Sequence, residues 1–333
     1  MTYKLAIVGA SGHAHLALDD LPRLPQVELA GCAPSFSGEE MGRVRAAGAP
    51  LFEDWQQMLD AVEPDIVVSC GRNDTLGLVA IEAARRGCHV FSEKPAAHNL
   101  EELATLRQAV DEAGVVYTMM LPIRYQPAYW TARSLVEQGV IGEPVLVTGQ
   151  KSYRWGGQRP AWYAQREHYG STMAWVGIHA FDYARWVSGR RFVEVFGYHD
   201  NLVHTERPGC QDISTVIASL DNGGSALFNL DYLRPAAAPT HGDDRLRIAG
   251  SSGLLEVCDS GTRLEVITSG DGGSGEHVRA WPLEQTERTL MTDLVGVLDG
   301  DGSLLVTAEE AFDITAFALC AAQAADERRI VRL

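Results

Sequence analysis

Short apolar runs alternate with amphipathic stretches through the first 120 residues. The runs lie at 3–9, 27–33, 65–70, 89–91 and 115–119. Between them, 76–86 and 100–113 carry apolar residues at helical spacing, and Asn99 with Glu102 three positions on reads as a helix start. Short buried strands alternating with amphipathic helices predict a parallel sheet covered on both faces. The pattern changes at Leu121-Pro122. One helix is predicted over 127–138, stopped by Gly139. Extended segments follow at 145–153, 194–204, 212–220, 225–233 and 245–249, and Asp221-Asn222-Gly223-Gly224 between two of them reads as a hairpin turn. A helix at 172–187 interrupts these strands. A last helix starts at Thr307, with Glu310 as capping partner, and ends near 325. Gly and Ser are dense at 269–275 and 299–303, which read as loops. The expected class is α/β, with residues 1–121 built on a parallel sheet and residues 122–333 on an antiparallel sheet with helices.

Composition narrows the choice of partners. The 333 residues include 28 Lys and Arg against 44 Asp and Glu, a net charge of −16. This balance argues against nucleic acid or an anionic membrane surface, which need a basic face, and no run reaches the ~20 apolar residues of a membrane span. The opening apolar run ends in glycines and does not read as a signal peptide. Six cysteines stand far apart without a CxxC pair. They read as reduced core residues, so a cytoplasmic location is expected.

The first run leads into Gly9-Ala10-Ser11-Gly12-His13-Ala14-His15. A strand, a glycine turn and a helix start together favour phosphate, through free N–H groups and the helix dipole. Against the G-x-G-x-x-G pattern of dinucleotide sites, the positions hold Gly9, Ser11 and Ala14, with Gly12 added. The acid expected about 20 residues later, to hold ribose hydroxyls, is missing: Pro34 stands there and Ser35 follows. Its absence removes a repulsion against a 2′-phosphate, with Arg43 and Arg45 the nearest arginines, so NAD and NADP both stay open. His13 and His15, two apart, are expected on different faces of a helix, and no metal site is expected.

The fourth run ends in Glu93-Lys94-Pro95, at the carboxyl end of a strand, where ligands of open α/β sheets bind. With this motif the chain resembles the glucose-fructose oxidoreductase/inositol dehydrogenase (Gfo/Idh/MocA) family of NAD(P)-dependent oxidoreductases. The matching pieces run in order: residues 7–12, Glu93-Lys94-Pro95, Arg124-Tyr125-Gln126-Pro127, residues 139–144, Gly177-Ile178-His179-Ala180-Phe181-Asp182 and residues 307–311. The resemblance implies a Rossmann-type dinucleotide-binding domain (1–121). A substrate-binding and oligomerisation domain (122–333) with an open, mostly antiparallel sheet follows, through which dimers or tetramers form. It implies hydride transfer between nicotinamide and a carbinol or carbonyl carbon of a sugar, inositol or related polyol. Lys94 and His179 become the expected catalytic pair, since hydride removal from a carbinol also requires that the hydroxyl proton leave. Gly9, Ser11, Gly12, His13, Pro34, Ser35, Ser69, Asn73, Glu93, Lys94 and Arg124 are expected at the cofactor.

Helical spacing places Trp175, His179 and Asp182 on one face. The family usually has an aspartate where this chain has Trp175. Its loss deprives His179 of an orienting carboxylate, which Asp182 replaces only if its rotamer allows. Trp175 instead forms an apolar wall or stacks on a sugar ring. The stretch 151–168 is rich in Arg and aromatic residues, among them Arg154, Trp155, Trp162 and Tyr163. In the family it borders the substrate, which aromatic faces and guanidinium groups suit; a surface loop or subunit contact would have the same composition. Two other functions stay open: a non-catalytic nucleotide- or sugar-sensing protein on the same scaffold, and a reductase of a non-sugar carbonyl.

Overall fold

The computed structural model describes residues 2–156, 159–270 and 275–333; most of the glycine- and serine-rich stretch 269–275 lies outside them. Two compact units are present. The first comprises Met1–Leu121, 167–170 and Arg288–Ala316, and the second Pro122–Arg166, Ser171–Glu287 and Phe317–Leu333. A division at residue 121 alone leaves the two returns, 167–170 and 288–316, in the second.

The first unit is a parallel five-stranded sheet of β1 (Tyr3–Val8), β2 (Val27–Ala33), β3 (Ile66–Ser69), β4 (His89–Ser92) and β5 (Tyr117–Met119), ordered β2-β1-β3-β4-β5. Strands β1, β3 and β4 are buried almost throughout, as expected of strands covered on both faces. Helix Asn73–Arg85 starts three residues before the predicted 76, because the chain leaves extended geometry at Arg72 and Thr75 Oγ1 bonds the Arg72 carbonyl. Helix Leu100–Ala113 has its Asn99 cap, which accepts from Glu102 N, and ends at Gly114 in the left-handed region. The two longest helices that escaped the periodicity are Trp55–Val62, capped by Asp54, and Leu290–Leu298, started by a Thr289/Thr292 capping box.

Among the described residues the second unit holds nine strands: β6 (Pro144–Arg154), β7 (Phe192–Asp200), β8 (Ile213–Leu220), β9 (Ser225–Arg234), β10 (Gly242–Gly250), β11 (Gly253–Cys258), β12 (Arg263–Thr268), β13 (His277–Val278) and β14 (Val331–Arg332). Their order is β13-β12-β11-β10-β6-β9-β8-β7-β14, with β6 and β9 the parallel pair in an otherwise antiparallel sheet. Strand β7 stops at Asp200, four residues short of the predicted end. The Asp212 carboxylate accepts from the amides of Leu202, Val203 and His204, which turns the chain out of the sheet. One face of this sheet packs on helices Pro127–Glu137 and Ile178–Ser188, with Phe181, Phe192, Phe228 and Phe317 meeting ring to ring.

The predicted helix over 172–187 divides. Met173–Gly177 forms a π-helical turn and Ile178–Ser188 an α-helix closed by Gly189. Trp175 and His179 therefore do not share an uninterrupted α-helical register.

Candidate functional site

In the first unit the predicted cofactor residues gather at the carboxyl ends of β1, β2, β3 and β4. Gly9 has φ +84°. A Cβ there would stand 2.6 Å from the Gly71 Cα and 2.7 Å from the Cys70 carbonyl oxygen, so glycine is required for the close approach of the two loops. The helix beyond the loop is a single turn, His15–Leu18. The anion-favouring dipole expected there is correspondingly small, and any phosphate would depend on loop amides and hydroxyls.

Glu93 is fully buried. It accepts from His13 N at 2.6 Å and from Lys94 N at 3.0 Å, contacts His13 Nδ1 at 2.8 Å, and stands 3.6 Å from Lys94 Nζ. Burial opposes its ionisation, but the charges of His13 and Lys94 and these hydrogen bonds prevail and hold its carboxyl down to about 2. One carboxylate thus ties the glycine loop to the lysine at the end of β4. Lys94 is itself buried and precedes a cis proline. His13 lies in the turn before the helix rather than on it, so its ring comes within 5.7 Å of the His15 ring; the argument from opposite helix faces does not apply. Burial, then the neighbouring His13, lowers the His15 pKa.

The other predicted positions divide. Ser35 follows Pro34 at the end of β2 and spends both its amide and its hydroxyl on Glu39. Ser69 faces inward and donates to the Leu76 carbonyl. Asn73 donates from Nδ2 to the Tyr169 carbonyl at 2.7 Å, while its buried Oδ1 has no hydrogen-bond partner among the described residues. A buried acceptor without a donor is costly unless something supplies one. A ribose hydroxyl has the required chemistry, and a dinucleotide therefore fits this donor and acceptor set.

In the second unit, Arg124 and Asp182 form a buried ion pair: Nη2 lies 2.6 Å and Nε 3.1 Å from Oδ1, with Nε 3.1 Å from Oδ2 as well. Both carboxylate oxygens of Asp182 serve this guanidinium, which limits Asp182 as the substitute partner for His179. Trp175 is buried. Its indole N–H donates to the Tyr163 hydroxyl at 2.6 Å, and its ring meets Trp162 edge-on at 5.6 Å. Burial pushes the Tyr163 hydroxyl up to about 12, so it stays protonated. The aromatic stretch is a cluster rather than a solvated loop. The Arg159 guanidinium lies 4.3 Å over Tyr232 and 5.4 Å from both Trp155 and Tyr163, close enough for cation–π attraction. Arg154, at the end of β6, accepts at its carbonyl from Arg159. His179 is buried one residue into the helix that follows the π-helical turn. Glu39 and Tyr232 were not singled out from the sequence, and Arg159 only as a member of the arginine-rich stretch; the buried phase of β9 marks Tyr232, whereas Glu39 lacked any local signal beyond its charge.

Comparison with known proteins agrees with this geometry. Residues 3–121 match the oxidoreductase family with an NAD-binding Rossmann fold, and residues 129–256 match the GFO/IDH/MocA C-terminal domain. A scyllo-inositol 2-dehydrogenase (NAD(+)) of Bacillus subtilis is 26% identical over 80% of this chain and 76% of its own length. A myo-inositol 2-dehydrogenase of Thermotoga maritima is 25% identical over 73% and 71%. The solved structure of a candidate oxidoreductase from Thermotoga maritima superposes with a TM-score of 0.91 at 34% identity, covering 99% of this chain and 100% of that one. With a parallel-sheet unit carrying the glycine loop and Glu93-Lys94-Pro95, and an antiparallel unit carrying His179, the chain belongs to the Gfo/Idh/MocA family of NAD(P)-binding oxidoreductases.

Proposed function

We propose that this chain is an NAD(P)-dependent dehydrogenase or reductase acting on a carbinol or carbonyl carbon of a sugar, inositol or related polyol. The observation that carries the reading is the Glu93 carboxylate. It binds the glycine loop through His13 and pairs with Lys94, so the lysine is held next to the loop that would receive the dinucleotide. The nicotinamide, when bound, supplies the hydride acceptor or donor. Lys94 donates a hydrogen bond to the reacting oxygen and stabilises negative charge on it. His179 takes the hydroxyl proton during oxidation and returns it during reduction. In this reading Trp155, Trp162, Tyr163 and Trp175 border the substrate, where aromatic rings suit the apolar side of a sugar ring, and Arg159 and Arg154 add positive charge.

Quenching of tryptophan fluorescence by NADH or NADPH tests cofactor binding, and Lys94→Ala and His179→Ala test turnover. Turnover lost in both variants while cofactor binding persists is the expected result. Failure of all four nicotinamide cofactors to bind at millimolar concentration refutes the reading. A second reading, a non-catalytic sensor, is favoured by Trp175 standing where the family has an acid. It predicts cofactor binding without turnover, and a Trp175→Asp variant that gains activity.

The chain also self-associates in this proposal, as a dimer or tetramer, through the open face of the nine-stranded sheet. Phe196, Ile217 and Leu227 form a cross-strand row there, beside Tyr198, Thr215 and Asn229. Ile217 is 51% exposed and Phe196 40%, an apolar patch of the kind that marks an interface. A reducing cytoplasmic location is supported by six cysteines without a disulfide. No helix among the described residues is long and apolar enough to cross a membrane.

A further inference from the structure

We infer that Glu39 replaces the acid missing from the end of β2 and selects NAD over NADP. The inference rests on the dinucleotide reading above. Glu39 lies six residues beyond β2, too far along the chain to be read as the usual ribose-binding acid, yet the fold brings its carboxylate back between the ends of β1 and β2. Oε1 accepts from Ala10 N and Ser11 Oγ, each at 3.0 Å. Oε2 accepts from Ser35 N and Ser35 Oγ, each at 2.8 Å. Two donors come from the glycine loop and two from the residue after Pro34.

Four donors fill about the four lone-pair positions of a carboxylate. Two of them are backbone amides, which fix the orientation of Glu39. The other two are serine hydroxyls, which rotate. A vicinal diol has the same chemistry as those two hydroxyls. An adenosine ribose can take over their bonds to Oε1 and Oε2 while the amides keep the carboxylate in place, and Ser11 and Ser35 are released to turn toward ribose or phosphate oxygens. A 2′-phosphate cannot make this exchange, since it brings negative charge against the carboxylate and has no proton to donate at neutral pH.

The surroundings reinforce the sign. A cavity of about 570 Å³ beside Glu39 is lined by Phe36, Leu51, Glu53 and Asp54 among others, and among the described residues no lysine, arginine or histidine lines it. Of the two arginines nearest in sequence, Arg43 is engaged with Asp19. Arg72, on the loop after β3, does reach over the Phe36 ring at 4.6 Å. Its guanidinium is forked onto Asp74, with Nε 2.5 Å from Oδ1 and Nη2 2.9 Å from Oδ2, so its charge is already met.

The test is a parallel titration of NADH and NADPH against the wild-type chain and Glu39→Gln, read by tryptophan fluorescence quenching and by calorimetry. The glutamine keeps the side-chain shape and one acceptor while removing the charge. The wild type is expected to bind NADH at least tenfold more tightly than NADPH. In Glu39→Gln the preference is expected to shrink at least tenfold, by weaker NADH binding and stronger NADPH binding together. Equal wild-type affinities within twofold, or an unchanged preference in Glu39→Gln, overturn the inference while leaving the oxidoreductase reading intact. The wild-type comparison needs no variant, so equal affinities overturn the inference even if Glu39→Gln folds poorly. Binding of neither cofactor overturns the dinucleotide reading, and the role of Glu39 with it.

Discussion

Replacing Glu93 by glutamine tests whether one buried carboxylate organises the cofactor loop and the reactive lysine. The native carboxyl is held at about 2 against an ordinary 4.5. A depressed carboxylate stabilises the fold fully above its unfolded pKa and loses that contribution as pH falls through the folded value. A difference of about 2.5 pK units, at 1.36 kcal/mol each, corresponds to roughly 3 kcal/mol at neutral pH. Glutamine resembles the protonated form in charge, so Glu93→Gln should be less stable than wild type by about 3 kcal/mol above pH 5.5. The linkage relation then brings the difference to about 2 kcal/mol at pH 3.5 and toward zero near pH 2. Other carboxylates with lowered pKa, such as Asp243 and Glu265, are present in both chains and cancel in the difference. Urea unfolding of the two proteins between pH 7.5 and 3.5, followed by far-ultraviolet circular dichroism, measures it. A difference below 1 kcal/mol at neutral pH, or one that does not narrow as the pH falls, would refute the electrostatic reasoning.

Three further outcomes follow from named contacts. Gly9→Ala forces a side chain into left-handed geometry and against the backbone of Cys70 and Gly71. It should cost about 2 kcal/mol or more and abolish cofactor quenching, as unfolding and fluorescence titrations would show. Arg124→Met leaves Asp182 buried without its forked cation and should destabilise by roughly 3–5 kcal/mol in urea unfolding; a loss under 1 kcal/mol would contradict the pair's buried state. Ile217→Lys places a charge in the middle of the exposed row on β8. In sedimentation velocity the wild type should run as a dimer or larger and the variant as a monomer, whereas an unchanged coefficient would remove that face as the interface.

Features set by neighbouring residues were legible in the sequence. The glycine turn at Gly9, the Asn99 cap, the Asp221-Asn222-Gly223-Gly224 turn and the lysine at the end of β4 each depend on a few consecutive residues. Features set by distant contacts were not. Nothing within 194–204 shows that Asp212 will draw three amides out of the strand. Nothing around Met173 announces a π-helical turn in an otherwise ordinary helical pattern. Pro34 stands where sequence distance places the acid, while the fold brings the Glu39 carboxylate back to the end of β2 from six residues beyond the strand. The arginine-rich stretch showed its composition but not its arrangement. Arg159 meets Tyr232 only through the pairing that brings β6 and β9 side by side.

Hydride transfer itself is the most direct test of the proposed function. Absorbance at 340 nm should be followed with NAD⁺ and NADP⁺ against a panel of inositols, hexoses, pentoses and their alditols, for wild type and for Lys94→Met. At least one polyol should reduce the cofactor with the wild-type chain, and Lys94→Met should bind that cofactor without reducing it. Cofactor binding with no absorbance change for any polyol, or unchanged rates in Lys94→Met, would contradict the assignment of Lys94 to a polyol oxidoreductase.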